Sequence, residues 1–185
     1  DMISRCRPLE RNDFDLGRVS AGNERALSTL ISGLTNGTEL AGRLAEEVCT
    51  RAKQVSHAPV IGITGTGGAG KSSLTDELIR RFRLDQADRL RIAVIAVDPS
   101  RRKSGGALLG DRIRMNAIDH PNIFMRSLAT RASGAEIPEC LPAVIAAVQL
   151  GGFDVIVVET SGIGQGDAAI APLVCGSVIS SLTSL

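Results

Sequence analysis

The chain contains no tryptophan and no tyrosine, and aromatic residues make up only 2% of its 185 residues. Proteins that bind single-stranded nucleic acid stack the bases on aromatic side chains, so this composition lacks their usual platform. Neither sign of charge is in clear excess, because 21 lysines and arginines accompany 20 aspartates and glutamates. We therefore expect no nucleic-acid partner and no attraction to an anionic membrane surface.

Cysteine pairs of the C-x-x-C type are absent as well. The four cysteines lie far apart, with no histidine nearby to complete a zinc site: Cys6, Cys49, Cys140 and Cys175. We expect free, mostly buried thiols. No basic start followed by an apolar centre marks a secretory signal, which favours a reducing, cytoplasmic setting.

What the chain does contain is a complete G-x-x-x-x-G-K-[ST] segment from Gly65 to Ser72. The apolar run Val60 to Thr64 precedes it and the helix-like stretch Ser73 to Phe82 follows it, which is the order of strand, loop and helix in a P-loop. Glycines allow the backbone N–H groups to turn inward around phosphates. Lys71 would neutralise the β- and γ-phosphates, and the Ser72 hydroxyl would ligate Mg²⁺ at the positive end of the helix.

The glycines at 65, 67 and 70 also spell G-x-G-x-x-G, the fingerprint of dinucleotide-binding Rossmann folds. Such a site needs an acidic residue at the end of the second strand, about 20 residues further on. Asp85 and Asp88 lie in a polar loop there, and Asp98 lies well beyond that spacing. Lys71 and Ser72 have no role in the Rossmann scheme, so we favour the P-loop over this fingerprint and over an ordinary glycine-rich turn.

From Pro59 onward the pattern alternates between strands and helices, which indicates an α/β fold with a mostly parallel sheet covered by helices on both faces. Upstream, Asn23 to Val55 has apolar residues three and four positions apart, typical of two amphipathic helices that pack on the core. The further predicted elements are strands at Arg91 to Val97, Ile123 to Arg126 and Val155 to Val158, and a helix at Pro138 to Leu150.

A chain of this length is expected to form one domain. We predict a linker over 1–22, a helical extension over 23–58, a P-loop GTPase domain over 59–173 and an atypical tail over 174–185. Asp1 is no initiator residue and the chain has no charge after Asp167, so we expect a piece of a longer protein whose sheet is incomplete at the C-terminus. Pro172, Gly176 and several serines interrupt the tail too often for a membrane span.

Acidic residues follow two of the predicted strands. Asp98 ends the second strand and Glu159 the fourth, and ligands of open α/β sheets bind beyond the carboxyl ends of the strands. The two carboxylates and the P-loop should therefore converge on one crevice and seat Mg²⁺. Asp111 is a further acid, although a solvated turn or a helix cap explains it equally well. The candidate metal ligands are Ser72, Val97, Asp98, Asp111, Glu159 and Thr160.

Two further segments are suited to moving around a phosphate. Pro99 to Gly110 is basic and rich in glycine, and Arg114 follows Asp111 by one helical turn, so Arg114 is either a nucleotide ligand or a surface residue. Glu159 to Asp167 is similar to a switch segment that senses a γ-phosphate. Within it, Gln165 is a candidate for orienting water, although polar loop residues are common. The candidate catalytic residues are Lys71, Glu159 and Gln165.

Three blocks, in this order, resemble the MeaB/ArgK-type metallochaperone GTPases: Val60 to Ser72, then Val97 to Ser100 together with Gly105 to Met115, and Glu159 to Gln165. The resemblance covers roughly Ala21 to Ile170 and is strongest to G-domains that are fused to isobutyryl-CoA mutases. It implies that Mg²⁺-dependent GTP hydrolysis gates the loading of adenosylcobalamin into an acyl-CoA mutase, fused or separate, and protects that cofactor.

The resemblance also implies a homodimer in the intact protein. It assigns GTP binding to Gly68, Ala69, Gly70, Lys71, Ser72, Ser73 and Arg114. The cobalamin motif D-x-H-x-x-G does not occur in the chain, so adenosylcobalamin would be held by the partner or by other domains.

The family's N-K-x-D motif, whose aspartate reads the guanine base, does not occur either. Specificity for GTP therefore depends on the resemblance alone. Two alternatives stay open: an ATP-using P-loop enzyme, such as a small-molecule kinase or ligase, and a noncatalytic fragment that binds nucleotide.

Overall fold

The computed structural model describes residues 10, 14–19, 22–36, 38–55, 58–66, 68–99, 115–130, 137–160 and 170–180. Within these ranges the strands form one parallel five-stranded sheet. The strands are β1 (Val60–Gly65), β2 (Ile92–Pro99), β3 (Ile123–Thr130), β4 (Val155–Glu159) and β5 (Gly176–Ser180). The strands lie in the order β3-β2-β4-β1-β5, so β4 separates the P-loop strand β1 from β2.

Helices cover both faces of this sheet: α1 (Glu24–Leu34), α2 (Glu39–Val55), α3 (Lys71–Asp85) and α4 (Leu141–Leu150). Ile79 of α3 packs on one face with Val94 and Val157. The other face, which includes Ile95 and Ile156, packs against α1, α2 and α4. The predicted α/β class and the helices on both faces are therefore confirmed, and the N-terminal helices share the core of the sheet.

Local sequence explains where the first two helices begin. The Asn23 side chain accepts a hydrogen bond from the Ala26 N–H at 3.1 Å, which caps α1. The Thr38 hydroxyl accepts one from the Ala41 N–H at 3.3 Å at the start of α2. Leu27 and Leu44 carry the periodic apolar faces of the two helices and are 2% and 1% exposed. The predicted amphipathic pair is thus present, with α1 ending at Leu34 and α2 beginning at Glu39.

The prediction of a linker is wrong for residues 14–19. Phe14, Leu16 and Val19 are buried in the same core as α1 and α2. A short 3₁₀ turn, Leu16–Arg18, spaces them, and the Asp15 carboxylate accepts a hydrogen bond from the Gly17 N–H at 2.9 Å. Because a single turn has no sustained period, the burial of these residues left no helical or strand pattern in the sequence.

The prediction of an atypical tail is wrong for Gly176–Ser180. These residues form β5, which pairs with β1 in the register Ile63 with Val178. The Cys175 N–H donates to the Val60 carbonyl at 2.9 Å where this pairing starts. The outer edge of β1 offers unpaired backbone groups, and an uncharged extended segment satisfies them whatever its side chains are.

Within the described ranges, no helix is long and apolar enough to cross a membrane. The cysteines in these ranges are free: Cys49 and Cys140 are half-buried and Cys175 is exposed, while Cys6 lies outside the described residues. The expectation of mostly buried thiols is therefore wrong for Cys175, whose thiol donates to the Val60 carbonyl at 3.2 Å.

Candidate nucleotide and magnesium site

The loop between β1 and α3 has the backbone that a phosphate cradle needs. Gly68 and Gly70 have φ values of 81° and 76°, a left-handed conformation that side chains other than glycine rarely adopt. A Cβ atom built on either would meet nothing within 4 Å. Gly70 is also the N-cap of α3 and supplies no side-chain cap, so the first N–H groups of the helix are left for an anion.

Lys71, the first residue of α3, lies across this loop. Its side chain is 8% exposed, and its ammonium group donates to the carbonyls of Gly65 at 3.1 Å and Thr66 at 2.9 Å. An ammonium group has three N–H donors, so one remains beyond these two bonds. The same side chain can thus brace the loop and present a positive charge to a phosphate bound in it.

The carboxylate of Glu159 contacts the same helix through two hydroxyl groups. Ser72 Oγ donates to Oε1 at 2.6 Å, and Thr75 Oγ1 lies 2.7 Å from Oε2. Distances of this size are typical of charge-assisted O–H···O⁻ hydrogen bonds. Glu159 is 6% exposed and Thr75 is fully buried, so water competes little for these contacts.

The sheet explains why Glu159 reaches α3. Because β4 lies between β1 and β2, Glu159 is level with Ile63 on one side and with Ala96 on the other. Side chains alternate along a strand, and Val157 packs with Ile79 on the face of α3. Glu159, two residues later, therefore points to that face and lies beside the P-loop strand.

Asp98 lies on the same face, one strand further away. It follows Val94 and Ala96 at alternate positions of β2, and both pack on the side of α3. Asp98 is two residues beyond the partner of Glu159, so the two Cα atoms are about 8 Å apart for ordinary strand spacings. The Asp98 side chain is 5% exposed. The structure thus brings the P-loop, Glu159 and Asp98 to one edge and one face of the sheet.

Val97 and Thr160 lie differently. The Val97 side chain is 1% exposed and packs in the core on the opposite face, so it does not point to the site. The Thr160 hydroxyl donates to the Thr64 hydroxyl at 2.9 Å, and its N–H donates to the Ile63 carbonyl at 2.9 Å. These bonds tie the tips of β4 and β1 together.

Asp111, Arg114 and Gln165 lie outside the described residues, as do the rest of 100–114 and 161–169. Among the residues that the structure describes, no group of three or more acidic, histidine or cysteine side chains could hold a metal ion. The donors that it does place together are the Ser72 hydroxyl and the carboxylates of Glu159 and Asp98. Such hard oxygens in small number suit Mg²⁺, which keeps several of its waters.

Sequence reasoning missed two buried hydroxyl groups at this site, those of Thr64 and Thr75, which are 1% and 0% exposed. Thr64 left no signal that distinguishes it from an ordinary strand residue. Thr75 did, because residues three positions apart share one face of a helix and Thr75 follows Ser72 by three. A hydroxyl on the face that carries the phosphate-binding residues is a candidate partner for any carboxylate there.

These features define the class of the protein. A parallel sheet whose first strand leads through a glycine loop into a helix, with a carboxylate of the adjacent strand bonded to the first turn of that helix, is a P-loop NTPase. The profile of the family described as "Methylmalonyl Co-A mutase-associated GTPase MeaB" matches residues 24–184. The chain therefore belongs to this family of P-loop GTPases, as the resemblance predicts.

Several known proteins are similar to the chain. A fused isobutyryl-CoA mutase of Cupriavidus metallidurans is 63% identical over 93% of the chain, and one of Geobacillus kaustophilus is 48% identical over 88%. The chain spans only 16% of the length of each of these two proteins. A putative GTPase of Pyrococcus abyssi is 40% identical over 80% of the chain, which covers 44% of that protein.

A solved structure has the same fold. The crystal structure of a LAO/AO transport system kinase aligns with 95% of the chain at a TM-score of 0.67, and the alignment covers 52% of that protein. The two sequences are 22% identical. At this identity the likeness supports the fold and nothing about the substrate.

Proposed function

We propose that the chain binds and hydrolyses GTP with Mg²⁺ and thereby gates the loading of adenosylcobalamin into an acyl-CoA mutase of the isobutyryl-CoA mutase type. The observation that carries the nucleotide part is the 2.6 Å hydrogen bond from Ser72 on the P-loop helix to Glu159 on the adjacent strand. Membership of the MeaB family supports GTP as the nucleotide. The fused relatives support a mutase partner.

The residues of the P-loop would hold the phosphates. Gly68 to Ser73 would line the phosphates, with the N–H groups of the first turn of α3 facing them, while the Ala69 N–H donates to the Thr66 carbonyl at 3.2 Å. Lys71 adds a positive charge in a site where burial strengthens it. The Ser72 hydroxyl donates its hydrogen bond to Glu159, so the lone pairs of the Ser72 oxygen are left for a cation. The Ser72 hydroxyl would hold Mg²⁺, which would supply positive charge to offset that of the phosphates during transfer.

Asp98 and Glu159 would act mainly by holding waters of the metal. Their Cα atoms lie about 8 Å apart on one face, so both carboxylates lie at the edge of the sheet that carries the P-loop. We retain Asp111 as a possible further metal ligand, Arg114 as a nucleotide ligand and Gln165 as the residue that orients the attacking water. Val97 and Thr160 would contribute through backbone groups, since their side chains are otherwise engaged.

The partner is inferred from the relatives. Where homologous G-domains are part of an isobutyryl-CoA mutase chain, coupling between nucleotide state and mutase cofactor is the simplest reason for the fusion. We infer that this chain serves such a mutase domain and that adenosylcobalamin is held there. The homodimer expected for the intact protein stays a prediction.

Titration of fluorescently labelled GTP and ATP, each with and without Mg²⁺, tests the nucleotide assignment. We expect GTP to bind more tightly than ATP. We expect Lys71→Ala to raise the dissociation constant of GTP about 10- to 150-fold, which is the effect of losing one hydrogen bond to a charged group. Steady-state hydrolysis should be lost in the same variant. Lys53→Ala is a matched control, because Lys53 lies on α2 and is exposed.

Unchanged hydrolysis in Lys71→Ala would reject the P-loop assignment. Tighter binding of ATP than of GTP would favour the kinase or ligase alternative, and binding without turnover would favour a noncatalytic role. Lys71→Ala and Lys53→Ala also test whether GTP gates cofactor loading, in an assay to which an isobutyryl-CoA mutase is added. Transfer of adenosylcobalamin should respond to GTP with Lys53→Ala and not with Lys71→Ala, and equal transfer with both would reject the gating role.

A further inference from the structure

We propose that Thr75 is a positioning residue for Mg²⁺: it holds the Glu159 carboxylate in the orientation that leaves the Ser72 hydroxyl available as a metal ligand. The inference rests on the proposed function, since it concerns the metal that accompanies the nucleotide. It adds a residue outside the G-x-x-x-x-G-K-[ST] signature, which ends at Ser72.

The first argument is burial. Thr75 is 0% exposed, and a buried hydroxyl must find a hydrogen-bond partner inside the protein. Two acceptors are in reach: Glu159 Oε2 at 2.7 Å and the Lys71 carbonyl at 3.0 Å. A hydroxyl has one proton, so it donates to one of them at a time. The shorter distance and the negative charge of the carboxylate favour Glu159.

The second argument is geometry. Ser72 and Thr75 lie one turn apart on α3, and their hydroxyl groups contact different oxygens of one carboxylate. Two donors on one rigid helix fix both the position and the rotation of the carboxylate plane. With Ser72 alone, the carboxylate of Glu159 could rotate about its single hydrogen bond and pull the Ser72 hydroxyl away from the metal position.

The third argument is the choice of side chain. Threonine is branched at Cβ, which restricts its side-chain rotamer in a helix, and the rotamer present places Oγ1 within reach of both the Lys71 carbonyl and Glu159 Oε2. The hydroxyl is therefore already aimed at Glu159 before any ligand binds. Serine at this position would keep the donor and lose part of this restriction, and valine would keep the shape and lose the donor.

These arguments predict a defect in metal binding and not in phosphate binding. Outer-shell partners of metal ligands typically change metal affinity by roughly 10- to 100-fold when they are removed. We expect Thr75→Val to raise the Mg²⁺ concentration that half-maximally tightens GTP binding by about tenfold, with nucleotide affinity in EDTA unchanged. Thr75→Ser should restore most of the wild-type midpoint.

A second measurement needs no nucleotide. With ¹³C-labelled glutamate, the side-chain carboxyl signal of Glu159 can be assigned by its disappearance in Glu159→Gln. We expect Thr75→Val to move this signal, because the carboxylate loses one donor, and Thr75→Ser to move it back. Thr29→Val is the control for the loss of a hydroxyl from a helix: the Thr29 hydroxyl donates to the Arg25 carbonyl, four residues earlier, at 2.9 Å on α1.

The outcomes separate the two proposals. If wild-type protein binds GTP equally with Mg²⁺ and with EDTA, the proposed function is rejected and the role of Thr75 in metal binding with it. If wild-type binding depends on Mg²⁺ but Thr75→Val has the wild-type midpoint, or the Glu159 signal does not move, the positioning role alone is rejected. A midpoint that rises equally in Thr75→Val and Thr75→Ser also rejects it, since the hydroxyl would then not be the cause.

Discussion

The hydrogen bond between Ser72 and Glu159 should contribute measurably to folding even without nucleotide. We predict a coupling free energy of about 1–2 kcal/mol between Ser72→Ala and Glu159→Ala in a double-mutant cycle of unfolding. The two residues are 87 positions apart in the chain, so the coupling reports the docking of α3 on the tip of β4.

The magnitude follows from the contacts. Hydrogen bonds to charged groups contribute about 1.5–3 kcal/mol, and 2.6 Å is the length expected of a charge-assisted one. Glu159 also has Thr75 as a second donor, so Ser72→Ala leaves the carboxylate partly satisfied. The expected coupling of about 1–2 kcal/mol therefore lies around the lower end of that range. For a domain of this size, 1–2 kcal/mol corresponds to a shift in melting temperature of about 2–8 °C.

Urea unfolding of the wild type, the two single variants and the double variant gives the coupling directly. Ser73→Ala with Glu159→Ala is the matched control cycle, because Ser73 is the next residue on α3 and is exposed. Its coupling should be zero within about 0.5 kcal/mol. A Ser72 cycle that is equally close to zero would refute the contact on which the proposed function depends.

Two further predictions concern the scaffold. Gly33→Ala should destabilise the protein, although alanine is the better helix former by about 1 kcal/mol, because the added Cβ would lie 2.5 Å from two atoms of the Phe14 ring; an unchanged or higher urea midpoint would contradict the packing of Phe14 on α1. Hydrogen bonds from Arg80 and Arg81 lower the pKa of Glu77 to about 2 in the folded protein. Its contribution to stability is therefore complete above the ordinary value of 4.5 and is lost as the pH falls toward 2. Urea midpoints at pH 5 and pH 3 should differ less in Glu77→Gln than in the wild type, and an equal difference would contradict these ion pairs.

The P-loop could be predicted from the sequence because its signal is local. Glycines, a lysine and a hydroxyl at fixed spacing between an apolar run and a helical pattern have one common structural meaning. The carboxylates could be placed approximately for a similar reason, since Asp98 and Glu159 follow apolar strands. The rule that ligands bind beyond the carboxyl ends of parallel strands predicts the correct edge of the sheet.

The order of the strands could not be predicted in this way. No local pattern states that β4, and not β2, pairs with β1, because that choice depends on packing between residues far apart in the chain. The order decides the roles at the site: it places Glu159 within hydrogen-bond distance of Ser72 and Asp98 one strand further away. Phe14 was missed for a related reason, since its burial depends on Gly33 of α1 and not on its own neighbours.

Substitutions on the two faces of the sheet should affect different properties of the protein. Lys71, Ser72 and Thr75 lie on α3, and Glu159 points to the same face. The proposed phosphate and metal ligands therefore depend on how one helix packs on that face. The helices α1, α2 and α4 cover the opposite face and share its core. Changes in that layer, such as Gly33→Ala, should therefore lower stability without altering the Mg²⁺ dependence of nucleotide binding in the molecules that remain folded. Changes such as Thr75→Val should alter the Mg²⁺ dependence itself. They should also lower stability, because they remove one buried donor from Glu159, while the apolar packing of both faces stays intact.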